Sequence, residues 1–485
     1  MKNLLLAIDQ GTTSTRALVF NDKGEVLALA QKELSLFTPH DGWVEQDPEA
    51  IWNDTLATCL EVVAKVGVAN IAAIGITNQR ETTVVWDKAT GKPVYNAIVW
   101  QDRRTAGFCA SLKNREPEVQ QKTGLLCDPY FSGTKIRWVL DNVEGAKGRD
   151  LLFGTIDTFL LWRLTGGKVH ATDATNASRT MLFNINTQSW DAGLLDMVGV
   201  PASMLPDVRD SGGDFGTTEL LGAPLPVRAI LGDQQAALFG QACYREGMVK
   251  STYGTGCFAL MNIGTQFKAS QNKLLTTIAW RLKGKTTYAI EGAIFVAGAA
   301  VQFLRDNLKL IKNSAETEGM ATSVPDAGGV MFVPALTGLG APFWDPHARG
   351  GIFGLTRGTT PAHIVRATLE AQAYQTRDLM DAMRADTGIT PATLRVDGGL
   401  SRNNFVCAQI ANQLGCAVER PVNVETTAWG AAALAGLESG VFKSLDDITS
   451  AWRADARFEP HSGQAEENAY AKWRNSVRRI MSHDA

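Results

Sequence analysis

The sequence carries no excess of either charge: 47 Lys and Arg face 50 Asp and Glu, a formal net charge of -3. That balance argues against a polyanionic partner, because nucleic acid and acidic lipid both demand clustered cations. Long hydrophobic runs are also missing. The most apolar stretch, around residues 292–301, is about half of the roughly 20 residues that a membrane-spanning helix needs. At the N-terminus Leu4, Leu5 and Leu6 are followed by Asp9, an apolar segment too short for a secretory leader, so a cytoplasmic protein without membrane insertion is expected. Cysteine offers no framework either. Cys59, Cys109, Cys127, Cys243, Cys257, Cys407 and Cys416 are odd in number, and no two are spaced C-x-x-C. Neither a disulfide scaffold nor a structural zinc site fits, and the thiols are read as reduced and mostly in the core.

What is present is an ordinary globular mixture, 45% apolar and 20% charged over 485 residues, long enough for at least two folded units. Residues 3–31 read as a three-strand meander, Leu4–Ile8, Ala17–Phe20 and Val26–Leu29, with a reversal at Asn21-Asp22-Lys23-Gly24. Asp47-Pro48 announces a helix that carries Trp52, Leu56, Cys59 and Val63 on one face, and residues 71–76 return as a buried strand. This order indicates an α/β domain. Near residue 242 the opening pattern starts again, as Val249–Tyr253, a Gly254-Thr255-Gly256 turn, and Cys257–Met261. Two copies of one unit imply two similar domains, 1–241 and 242–485, facing each other across a cleft. Further on come an amphipathic segment over 362–383, a strand at Leu394-Arg395-Val396 and a small-residue helix over 427–437; from about Ala456 the chain is polar and is read as peripheral.

Four segments could carry chemistry. In Asp9-Gln10-Gly11-Thr12-Thr13-Ser14-Thr15-Arg16 a glycine between two strands lets amides approach an anion, with hydroxyls and one guanidinium beside it. Alone, it more readily fits a plain Gly-Thr turn. Asp233, between an apolar strand and the helix of Gln234-Gln235-Ala236-Ala237, suits a general base or an N-cap. Val396-Asp397-Gly398-Gly399-Leu400-Ser401-Arg402-Asn403 would let a flat ring or phosphate lie on bare backbone, or is a simple β-α loop. Arg80-Glu81, at the carboxyl end of a strand, lies where ligands of α/β sheets gather, although such a pair is ordinarily solvated. Two other signatures fail. Gly284-Lys285-Thr286 has Ala279 where a P-loop requires glycine, and Gly254-x-Gly256-x-x-Ala259 continues as strand rather than helix.

The order of these motifs resembles the FGGY carbohydrate kinases of the actin, hexokinase and Hsp70-like ATPase superfamily, over residues 4–455. The stretches that carry it are Tyr130-Phe131-Ser132-Gly133-Thr134-Lys135-Ile136-Arg137-Trp138 and Gly350-Gly351-Ile352-Phe353-Gly354-Leu355 with Ala367-Thr368-Leu369-Glu370. The resemblance implies two ribonuclease H-like (actin-like ATPase) domains, each a mixed five-stranded sheet with flanking helices, around an interdomain cleft. It implies ATP and Mg2+ as cofactors and a homo-oligomer, dimer or tetramer. Thr77–Thr82, Trp100–Arg104 and Gly232–Ala237 point within the family to the branch that phosphorylates glycerol. Carried over position by position, Arg80, Glu81, Tyr130, Asp233 and Gln234 would hold glycerol, with Trp100 and Phe258 along its carbon edge and Asp233 as general base. Thr12, Thr13, Ser14, Arg16 and Thr255 would meet phosphates, and Gly298, Gln302, Gly399 and Asn403 the ribose and adenine. Asp9 would hold magnesium through water, with Asp233. The first domain is thereby given glycerol and the phosphate hairpin, the second the adenine nucleotide. The rivals are a pentulose or gluconate kinase of the same family and a non-kinase actin-like or Hsp70-like ATPase, which lacks the Arg80-Glu81 and Asp233-Gln234 set.

Overall fold

A computed structural model describes residues 2–461 and 463–482. Three consecutive antiparallel strands open the fold: β1 (Leu4–Gln10), β2 (Ser14–Phe20) and β3 (Val26–Glu33). Gly24, at φ 76°, makes the β2–β3 reversal without a Cβ penalty. The chain then crosses the sheet in helix α1 (Pro48–Val66), whose start is set by Asp47: its carboxylate accepts from the amide of Glu49 at 2.8 Å. Ile51, Trp52, Cys59, Val62 and Val63 are buried on one stripe of α1, while Leu56 is only half-buried. That crossover returns the chain as β4 (Ile71–Asn78), parallel to β1, and β5 (Leu225–Gly232) joins parallel to β4. The sheet order is β3-β2-β1-β4-β5, with Thr217–Thr218 as a short edge pair beside β5.

The second sheet contains β6 (Val249–Tyr253), β7 (Cys257–Asn262), β8 (Leu275–Leu282), β9 (Lys285–Ile294), β10 (Thr393–Asp397), β11 (Ala417–Pro421) and β12 (Ala454–Phe458), in the order β8-β9-β7-β6-β10-β11-β12. With the outermost β8 and β12 set aside, the order and directions repeat those of the first sheet: two antiparallel neighbours on one side of the first strand, two parallel ones on the other. The mixed five-stranded core is therefore common to both sheets. The full sheets have six and seven strands, because edge strands add to that core.

The polar C-terminal stretch is not simply peripheral. Residues Ala454–Phe458 form the edge strand β12, and helix Gln464–Ile480 buries Tyr470, Trp473 and Val477, spaced three and four apart in an otherwise charged sequence. Tyr470 and Trp473 both donate to buried Asp378, at 2.6 and 2.8 Å, which anchors this helix. Burial pushes the Asp378 carboxyl up to about 6 against those two donors.

The two halves meet where helix Asp233–Gly240, leaving β5, crosses helix Thr426–Glu438 of the second half. The latter lies on the face of the first sheet that presents Leu5, Ala7, Ala73 and Leu231. Its small residues are a steric requirement. A Cβ on Gly430 would stand 1.9 Å from the Ala236 carbonyl oxygen, one on Gly240 2.0 Å from that of Thr426, and one on Gly75 2.1 Å from that of Ala431. Gly430→Ala should cost about 1–3 kcal/mol or more through overpacking, read as a lower thermal unfolding midpoint. Gly319→Ala, whose Cβ meets nothing within 4 Å in a helix, should leave the midpoint unchanged or raise it slightly.

Candidate active site

The site begins where two parallel strands end side by side. Asn78 and Gly232 are register partners at the carboxyl ends of β4 and β5, so Arg80 and Asp233 emerge next to each other. Gly232 has no side chain for a reason: a Cβ there would meet the Arg80 Cγ and Cδ at 2.8 Å. The Arg80 Nε stands 3.2 Å from Asp233 Oδ1 and 3.8 Å from Glu81 Oε1. A solvated Arg-Glu pair is not what the structure contains, since Arg80 and Glu81 are 2% and 1% exposed. Their charges are matched from elsewhere. Arg80 forks onto Glu291 of β9 at 2.5 and 3.1 Å, and Arg179 bridges Glu81 at 2.6 Å and Glu291 at 2.9 Å. Burial alone would raise the Glu291 carboxyl, but the two guanidiniums outweigh it and hold it down at about 2.

Asp233 has the opposite balance. Burial and the Glu81 charge raise it, Arg80 and Lys250 pull it down, and the result is a carboxyl pushed up to about 6. Its side chain is 32% exposed and so remains reachable. It is not an N-cap, because the cap position belongs to Gly232 and Asp233 is the first helical residue. Gln234 accepts from the buried Lys250 ammonium, which also donates to Thr252 Oγ1 at 3.0 Å and to the Phe258 carbonyl at 3.4 Å. Tyr130 places its hydroxyl 3.4 Å from Arg80 Nη2. The Trp100 ring stands edge-on to Tyr130 at 5.6 Å and to Phe258 at 6.4 Å, an aromatic wall beside the charged groups. Arg80, Glu81, Trp100, Tyr130, Asp233, Gln234 and Phe258 are thus brought together, with Phe258, Lys250 and Glu291 coming from the second half of the chain.

The β1–β2 loop lies against this wall, for Trp100 Nε1 donates to Thr12 Oγ1 at 2.9 Å. Gly11 N donates to the Ser14 carbonyl at 2.9 Å and closes the turn that presents Thr12 and Thr13. Arg16 is not a free cation here. It bonds both Asp9 and, at 2.6 Å, Glu425 of the second half, and the Asp9 charge raises its pKa further. Asp9 itself is 5% exposed. Among the described residues no group of three or more His, Cys, Asp or Glu side chains could enclose a metal ion. A magnesium ion held here by Asp9 and Asp233 would therefore keep most of its water and take its other oxygens from phosphate.

Across the cleft, the β6–β7 turn closes through Gly254 N to the Gly256 carbonyl at 2.9 Å. The Thr255 carbonyl accepts from the amides of Ala297 and Ala299 at 2.9 and 3.0 Å and so ties the turn to the start of helix Gly298–Asp306. A Cβ on Gly298 would stand 2.6 Å from the Gly254 carbonyl oxygen. Thr255, Gly298, Gln302, Gly399 and Asn403 line one open pocket of about 550 Å3. The paired glycines after β10 have different reasons. Gly398, at φ 86°, packs on Tyr253 with no space for a Cβ (2.4 Å to its carbonyl oxygen), whereas a Cβ on Gly399 meets nothing within 4 Å. Asn403 also caps the next helix, its side chain accepting from Val406 N at 3.1 Å and donating to Thr317 Oγ1 at 3.2 Å.

Family models match both halves of the chain. That of the N-terminal domain of the FGGY family of carbohydrate kinases matches residues 4–240, and that of the C-terminal domain matches 249–439. The chain belongs to this family. It is 59% identical to a glycerol kinase of Alcanivorax borkumensis, over 98% of each chain. A crystal structure of Plasmodium falciparum glycerol kinase with ADP superposes with a TM-score of 0.94 at 35% identity and covers 99% of both chains. A xylulose kinase of Lactobacillus acidophilus reaches a TM-score of 0.87 at 22% identity, covering 98% and 96%, a likeness of fold alone.

Arg179, Lys250, Glu291 and Glu425 of this FGGY kinase escape motif reading. Only Glu291 left a trace, as one charge within the apolar strand Ala289-Ile290-Glu291-Gly292-Ala293-Ile294, since buried charges need partners. Because the Glu291 pKa is depressed, its stabilisation is present above the ordinary glutamate range and is lost as pH falls through about 2. Glu291→Gln leaves two buried guanidiniums undercompensated and should destabilise the fold by about 3–5 kcal/mol, measured by denaturant unfolding at neutral pH.

Proposed function

We propose that the protein transfers the γ-phosphoryl group of ATP to a terminal hydroxyl of glycerol, giving sn-glycerol 3-phosphate and ADP. One observation carries the reading: a carboxylate raised to about 6 stands 3.2 Å from a buried arginine, beside an aromatic wall. A small triol offers hydroxyls and a short carbon edge, and discrimination requires fixed donors and acceptors plus a wall that limits size. Arg80, Glu81, Tyr130 and Gln234 take the hydroxyls, and Trp100 and Phe258 flank the carbons. Asp233 accepts the proton of the attacking hydroxyl as phosphoryl transfer proceeds in line. Thr12, Thr13, Ser14 and Thr255 receive the phosphates, and Arg16 joins them by exchanging a carboxylate for a phosphoryl oxygen. Asp9 and Asp233 would hold, through water, magnesium that would supply positive charge against the phosphates. Gly298, Gln302, Gly399 and Asn403 take the nucleoside. The 1–241 and 242–485 units close on one triphosphate, since the two phosphate turns belong to different sheets. The identity to the Alcanivorax glycerol kinase supports glycerol over a pentulose or gluconate.

A substrate panel with ADP detection tests the reading directly. Glycerol should be turned over well ahead of xylulose and gluconate, and the reverse order would overturn it. Asp233→Asn should reduce turnover by roughly 10²- to 10⁴-fold with ATP binding retained. In the parent enzyme the basic form is required, so kcat/KM should fall as pH drops below about 6, and near-normal turnover of Asp233→Asn would remove that carboxylate from the reaction. Gly399→Val fills the open side of the nucleoside pocket, so KM for ATP should rise more than KM for glycerol. Equal changes in both would indicate general damage.

A further inference from the structure

Lys135, on helix Ser132–Asn142, is fully buried, and among the described residues it forms no ion pair. Its ammonium instead donates to two backbone carbonyls, that of Tyr130 at 2.5 Å and that of Glu81 at 3.5 Å. These belong to two of the residues assigned to glycerol. Glu81 also has φ 60°, in the left-handed region that a side chain with Cβ adopts only at a cost, so neighbouring contacts must hold it there. The Glu81 carbonyl receives Ser132 Oγ at 3.0 Å and Thr83 Oγ1 at 3.1 Å in addition to Lys135. An arrangement needed only for packing would place an uncharged side chain here, because burying an ammonium with no carboxylate in contact is expensive.

We infer that Lys135 is a positioning residue of the substrate pocket: its ammonium pins the backbones of Tyr130 and Glu81 and thereby sets where the phenol and the carboxylate meet the triol. The inference rests on the glycerol reading above. Burial lowers the Lys135 pKa to about 8, against the opposing charges of Glu81, Asp102 and Asp128, and the facing Cys109 thiol is pushed up by burial to about 11. Glycerol affinity should therefore weaken several-fold as pH rises through about 8, while KM for ATP stays level.

The test is glycerol binding by calorimetry between pH 6 and 9.5, for the parent protein, Lys135→Met and Lys135→Arg, with KM for ATP and the unfolding midpoint measured on the same preparations. Lys135→Met should raise the glycerol Kd by roughly 10- to 100-fold, the range for a charged donor lost from a buried acceptor, with KM for ATP within about twofold. Lys135→Arg cannot titrate below pH 12, so its step near pH 8 should vanish, and this outcome is readable even where Lys135→Met does not accumulate as folded protein. Parental glycerol affinity in Lys135→Met, or a step near pH 8 that persists in Lys135→Arg, overturns the positioning role. A parent protein that binds no glycerol at any pH overturns instead the functional reading beneath it.

Discussion

Four charges buried from solvent constrain the groups around Asp233. Arg80, Glu81, Arg179 and Glu291 are all 2% exposed or less, two cations alternating with two anions, and each charge stays affordable only while its partners keep their places. The geometry of Arg80 follows from this. Its guanidinium forks onto Glu291, which leaves Nε facing Asp233, so the tilt of the arginine and the charge seen by the Asp233 carboxylate are set together. Raised Asp233 and depressed Glu291 are the two outcomes of one arrangement: Glu291 lies between two guanidiniums, whereas Asp233 meets one and shares it with Glu81.

The same network crosses the boundary between the two halves of the chain. Glu291 stands on β9 of the second sheet, while Arg80 and Glu81 follow β4 of the first. Arg16 and Glu425 make a second ionic link across it. Between them, helices Asp233–Gly240 and Thr426–Glu438 pack so closely that Gly240 and Gly430 leave no space for a methyl group. Asp233 is thus the first residue of one of the two helices on which the halves bear, and the charged groups around it come from both halves.

Much of the scaffold was legible from local pattern. Strand alternation, the Asp47-Pro48 helix start and the glycine turn at Gly254–Gly256 are written in neighbouring residues, and so is the repetition that became two five-strand cores of the same order. The failures have equally local causes. Tyr470, Trp473 and Val477 are three apolar residues among many charged ones, and composition concealed the helix they anchor. Arg80-Glu81 looks like a solvated pair until partners 98 and 211 residues away bury it.

By itself the sequence determined the strands, the turns, the duplicated α/β order and the short motifs at strand ends, because each depends on φ/ψ preference and on periodicity over a few residues. Only the tertiary structure decided which lone charges meet. Arg179 and Glu291 lie 112 residues apart in segments with no motif, and their pairing brings the turn after residues 174–177 against β9 of the second sheet. That meeting turns a loop dipeptide into a buried, ion-paired one, and a strand-end aspartate into a carboxyl raised to about 6, since burial and charge depend on distance in space and not along the chain.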